Sequence, residues 1–115
     1  MRRPFLQDTV TGKNYNLTAL AEANNDRISI GRIGRGNLIE LGEEVPETTS
    51  GRNAIVECEC IAAYRTFYIR ADPDNLVRLN EEYLNEQRYI LTDGDRVRFG
   101  ATAARARLKY REVWD

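Results

Sequence analysis

The chain is predicted to be all-β, a sandwich of about ten or eleven mostly antiparallel strands. Three observations predict this. Short segments alternate apolar and polar residues with the period of two that a half-buried strand requires. Turn-forming Gly, Asn, Asp and Pro recur between these segments at short, regular intervals. Just one stretch, Thr18 to Ala23, has the composition of a helix, and it is long enough for one or two turns.

Taken in order, Phe5-Leu6 begins a strand, Thr11 to Asn14 is a turn, and Tyr15-Asn16-Leu17 resumes extended structure. Asn24-Asn25-Asp26 ends the helical stretch. From Arg27 to Arg32 polar and apolar residues alternate, with Ile28 and Ile30 on one face. Gly34 and Gly36 bracket Arg35 in a loop, and Leu38 to Leu41 is a short strand. A loop, Gly42 to Gly51, contains Pro46 and Thr48-Thr49-Ser50. Ala54 to Ala62 is a strand with Val56, Cys58 and Cys60 on one face and Glu57 and Glu59 on the other. Thr66 to Ala71 follows with Phe67 and Ile69 inward, then a tight turn at Asp72-Pro73-Asp74. Leu76 to Leu79 and Tyr83-Leu84 flank a turn at Asn80 to Glu82. Asp93-Gly94 is a turn, and Val97 and Phe99 alternate with Arg96 and Arg98. The last strand alternates Ala106, Leu108 and Tyr110 with Arg105, Arg107, Lys109 and Arg111.

At 115 residues the chain reads as one domain, 1–115, either whole or cut from something longer. A chain of this size buries roughly 65% of its unfolded surface, enough for one core. The net charge is −1, which argues against a nucleic-acid binder relying on bulk positive charge. Fifteen of the basic residues are Arg and two are Lys (Lys13 and Lys109). Arg offers a planar fork suited to carboxylate and phosphate, although genomic bias explains the excess as well. The sequence has no apolar run of membrane-spanning length and no apolar signal core after Met1-Arg2-Arg3, so a cytoplasmic location is expected.

Cys58 and Cys60 are expected side by side on the buried face of a strand, about 6.6 Å apart, at the far end of the disulfide range. Without His or further Cys they cannot complete a zinc site. Asp93, Asp95, Asp72 and Asp74 read as turn formers rather than metal ligands. Nothing resembles a general-base constellation or a phosphate-binding Gly loop ahead of a helix. No enzyme activity, cofactor, metal or small-molecule substrate is therefore expected.

Four motifs remain: Ile30-Gly31-Arg32, Ser50 to Ala54, Asn75 with Asn80, and Leu91 to Gly100. In order and approximate spacing they resemble the forkhead-associated (FHA) domain, as a divergent, bacterial-type member. The resemblance spans roughly residues 5 to 110 and is strongest over 28 to 100. It implies an FHA-like (SMAD/FHA) β-sandwich that reads phosphothreonine in an extended peptide, working in signalling or assembly. Arg32 matches the arginine of the Gly-Arg motif, whose guanidinium would hold phosphate or peptide carbonyls. Ser50 matches the serine of Ser-x-x-His, whose hydroxyl would donate to phosphate. Asn75 matches the asparagine that hydrogen-bonds the peptide backbone, and Asn80 matches a turn asparagine. Arg35, Gly51 and Arg52 are further candidates for the phosphopeptide site.

The chain departs from the pattern at four places. Asn53 stands at the histidine, Gly51 where the family usually has a basic or polar contact residue, and Leu76 and Glu81 at two turn glycines. Between Gly36 and Ser50 lie four Glu (40, 43, 44 and 47) and no basic residue. If turned inward, these would oppose a phosphate. An alternative is therefore a divergent FHA-like scaffold that binds a protein partner without phosphate. A third possibility is the basic face of the last strand (Arg105, Arg107, Lys109 and Arg111, with Arg96 and Arg98), which would meet an acidic partner or nucleic acid. The blander reading of that face is the wet side of an edge sheet. A monomer without membrane contact is expected for the isolated domain, with nucleic acid disfavoured as a partner.

Overall fold

The alternation read from the sequence becomes two packed β-sheets in the computed structural model, which describes residues 2–42, 52–62, 64–72, 75–85, 87–100 and 106–114. The strands are β1 (Arg2–Asp8), β2 (Asn14–Asn16), β3 (Arg27–Arg32), β4 (Ile39–Leu41), β5 (Ala54–Ile61), β6 (Tyr64–Ala71), β7 (Val77–Leu79), β8 (Glu82–Tyr83), β9 (Tyr89–Ile90), β10 (Arg96–Phe99) and β11 (Leu108–Trp114). One helix, α1 (Leu17–Ala23), lies between β2 and β3. A six-stranded sheet has the order β2-β1-β11-β10-β7-β8, and a five-stranded sheet the order β4-β3-β5-β6-β9. The pairings are antiparallel except β3 with β4, which is parallel.

The longer strands present alternate residues to the gap between the sheets along most of their length. Ile28 and Ile30 of β3, Val56 of β5, and Phe67 and Ile69 of β6 meet Leu6 of β1, Val97 of β10, and Leu108 and Tyr110 of β11 there, all completely buried. Asn16 starts the helix by accepting from the Ala19 N–H with its side-chain oxygen at 3.0 Å. That cap draws Leu17, read as extended in the sequence, into the first helical turn. Leu17 and Ala21, four apart, form the buried face. Asn25 and Asp26 end the helix with φ of 54° and 61°, values that Asn and Asp tolerate.

Four expectations fail. Cys60 is exposed although Cys58 is buried. The β5–β6 hairpin runs past the end of the opposing sheet, so Glu59, Cys60 and Ile61 are exposed whichever face they occupy. Arg107 is not on the wet face: it is 5% exposed, and its guanidinium meets the Asp8 carboxylate at 3.0 Å. The chain bends at Arg107 before β11 begins pairing with β1 at Leu108, which turns this side chain inward. Moreover, β11 is not at an edge but lies between β1 and β10. Leu76, expected in a strand, precedes β7 and is 53% exposed.

Among the described residues no helix is long and apolar enough to cross a membrane.

Candidate functional site

Strand register decides which loops meet. Ile30 of β3 pairs with Ala54 of β5, and Ala54 pairs with Ala71 of β6. The residues one step beyond this row therefore share one rim: Gly31 and Arg32 after Ile30, Arg52 and Asn53 before Ala54, and Asp72 after Ala71. Backbone hydrogen bonds extend the ladder past the strands. The Asn53 N–H donates to the Ile30 carbonyl (2.8 Å), the Asp72 N–H to the Asn53 carbonyl (3.0 Å), and the Asn75 N–H to the Asp72 carbonyl (3.2 Å).

Arg32, the last residue of β3, is half-buried at this rim. Among the described residues its guanidinium has no ion pair or hydrogen bond. The loop beyond it is closed locally. The Asn37 side-chain amide donates to the Arg32 carbonyl (3.2 Å), and the Gly34 N–H donates to Glu40 Oε2 (3.1 Å). Gly34 and Gly36 have φ of 81° and 80°, which a side chain would strain, and they leave Arg35 exposed at the tip. Glu40, one of the four acids that could oppose an anion, is thus engaged by its own loop.

Arg52 is a different case. Its Nε and Nη2 form a two-point bridge to Asp72 at 2.9 and 3.2 Å. The hydrogen bond to Asp72 raises the Arg52 pKa above its ordinary value. An incoming phosphate would have to displace a carboxylate there. Ser50 and Gly51 lie outside the described residues, as do Glu43, Glu44, Glu47, Asp74 and Arg105.

Asn53 is the least expected element. It is 2% exposed, and its side-chain amide donates to Asn75 Oδ1 at 3.2 Å. Asn75 in turn directs its amide nitrogen at the Asp72 carbonyl, 3.4 Å away. The residue at the motif histidine therefore props the asparagine expected to meet the peptide backbone. Asn53 Oδ1 has no hydrogen-bond partner among the described residues. Sequence reasoning missed both the Asp72 clamp and the Asn53–Asn75 contact, because each depends on the register of β5 against β6.

Asn80 has a structural role. At φ 57° it turns the chain from β7 to β8, and its amide joins Asp95 Oδ1 and the Arg96 N–H, both at 3.0 Å. Asp95 also accepts from the Thr92 N–H at 2.8 Å, and Asp93 accepts from the Glu112 N–H at 2.8 Å. Among the described residues no group of three or more His, Cys, Asp and Glu is placed to hold a metal ion. Burial pushes the Cys58 thiol pKa up, with Arg65 opposing.

No family model matches the chain. No curated protein matches it. Solved structures do. Full-length yeast Pml1p superposes with a TM-score of 0.71 at 17% identity, covering 98% of this chain and 82% of that one. The MEK1 FHA domain in complex with a phosphothreonine peptide of HOP1 gives 0.71 at 16%, covering 94% of each chain. The yeast Dun1 FHA domain, in complex with a doubly phosphorylated peptide derived from Rad53, gives 0.65 at 22%, covering 96% of this chain and 74% of that one. The chain has the forkhead-associated fold.

Proposed function

We propose that this chain is a peptide-binding module that recognises phosphothreonine in an extended segment of a partner protein, and that it is not an enzyme. The observation that carries the reading is the convergence of Arg32, Asn53 and Asn75 on one rim, with the Arg32 guanidinium uncommitted among the described residues. Two structural neighbours with the same fold hold phosphothreonine peptides. Arg32 would supply charge-assisted hydrogen bonds to phosphate. Ser50 would add a hydroxyl donor, and Gly51 and Arg35 would border the phosphate. Asn75, with its oxygen facing Asn53 and its amide nitrogen toward the Asp72 carbonyl, would meet the peptide backbone through that side-chain amide.

The Asp72 clamp on Arg52 supports a second reading, a scaffold that binds a partner without phosphate. It removes one candidate cation from the rim.

One titration separates the two. A degenerate phosphothreonine library, its unphosphorylated twin and its phosphoserine version are bound to the same protein. Binding restricted to the first is the expected result. Equal affinity for the first two would replace the phosphate reading with the scaffold reading.

A further inference from the structure

The outer face of the six-stranded sheet carries a stripe of cations that the rim does not use. Burial alternates along β10 and β11: Val97, Phe99, Leu108 and Tyr110 point into the core, so Arg96, Arg98, Lys109 and Arg111 point out. Arg96 pairs in register with Lys109, and the two strands run antiparallel. The four cations therefore occupy three levels along the strand axis. Arg98 is nearest the rim, Arg96 and Lys109 share the middle level, and Arg111 is farthest. Successive levels lie about 6.8 Å apart, twice the rise of a strand residue.

Among the described residues, Arg96, Lys109 and Arg111 have no ion pair. The neighbouring acids Asp93 and Asp95 accept backbone N–H groups instead. Arg98, its side chain 16% exposed, donates to the Asn80 carbonyl at 2.9 Å and meets Glu81 at 3.3 Å, an acid that is 85% exposed and readily displaced. The opposite outer face differs. There Arg70 is held by Glu57, and Arg88 lies over the Tyr68 ring with Glu59 at 3.6 Å.

We propose that this face docks an extended acidic polypeptide segment with Asp or Glu at every second position. An extended chain places residues i, i+2 and i+4 on one side at the same ~6.8 Å repeat. Five residues of such a segment, lying along the strands, would set one carboxylate against each level. The Arg forks favour carboxylate pairing. The net charge of −1 and the few uncommitted cations favour a peptide over a nucleic-acid backbone, whose affinity grows with the number of phosphates neutralised. The surface is separate from the rim and does not depend on phosphate recognition there.

The probe is a short capped peptide of alternating Glu and Ser, titrated calorimetrically at low ionic strength. It is compared with a peptide of the same composition with its Glu residues contiguous, and with oligothymidylate of equal charge. The alternating peptide is expected to bind several-fold more tightly than either. R96E/K109E/R111E is expected to weaken it by about tenfold or more, a loss of ~1.4 kcal/mol. R96Q/K109Q/R111Q, milder to the fold, should move affinity in the same direction. R27E, on the other sheet, and R32A, at the rim, should change it less than about twofold. No binding, equal affinity for the contiguous peptide, oligothymidylate binding as tightly, or indifference to the triple variants would each overturn the proposal.

Discussion

At the end of the sandwich away from the rim, arginines are held by carboxylates, whereas at the rim Arg32 and Arg35 meet none among the described residues. At the far end Arg2 reaches Glu112 at 2.7 Å, stacks on Tyr64 at 4.5 Å and donates to the Arg65 carbonyl. Arg65 there meets Asp26 at 3.0 Å and Glu22 at 3.5 Å. Tyr110, wholly buried, completes this cluster by donating its hydroxyl to Glu112 at 2.7 Å. Arg2 ties the six-stranded sheet to the other through the Arg65 carbonyl and the Tyr64 ring. Arginines with internal partners contribute to stability, and a half-buried arginine without one is free to meet a ligand. Within the rim Arg52 breaks the pattern, because Asp72 has already claimed it.

Four substitutions test this contrast. Arg2→Ala should have the largest effect, destabilising the fold by about 3 kcal/mol by leaving Glu112 partly buried and unpaired. The urea midpoint would fall while phosphopeptide affinity of the folded fraction stays unchanged. An affinity loss matching the stability loss would erase the distinction between the ends. Arg32→Ala should do the reverse. Phosphopeptide affinity would fall by about 1.5–3 kcal/mol, the worth of a hydrogen bond to a charged group, with stability altered by less than about 0.5 kcal/mol. Retained affinity by calorimetry would remove Arg32 from the site.

Asn53→Ala should act on both properties, because the Asn75 oxygen loses its donor. A cost of about 1 kcal/mol in stability is expected, together with a several-fold loss of affinity. The same substitution leaving binding intact would deny Asn53 its positioning role. Arg52→Ala should have the smallest effect, within about 1 kcal/mol on either measure, because the bridge it removes is half-exposed.

The far end should also show in the acid limb of stability. Burial alone would raise the Glu112 pKa, but hydrogen bonds from Arg2 and Tyr110 outweigh it and hold the carboxyl below its ordinary value of 4.5. A group whose folded pKa is depressed stabilises the fold above its unfolded pKa. That contribution is lost as pH falls from about 4.5 through the lower folded value. Thermal melting across this range should therefore be steeper for the natural chain than for Glu112→Gln. Parallel curves would show that the carboxylate is not coupled to folding.

Local chemistry alone determined much of this protein. The period of two in segments such as Arg27–Arg32 and Thr66–Ala71 fixes which side chains enter a core, because successive strand residues must face opposite ways. Turn chemistry at Asn24 to Asp26, Asn80 and Asp93-Gly94 was legible for the same reason: these side chains accommodate or enforce the required backbone locally. What the sequence could not decide was pairing between distant strands. The clamp of Asp72 on Arg52, the prop of Asn53 beneath Asn75, the burial of Arg107 against Asp8 and the exposure of Cys60 all depend on where one strand ends relative to another. Register and sheet overlap are settled by the packing of the whole core. No local preference of residues 20 to 100 positions apart encodes them.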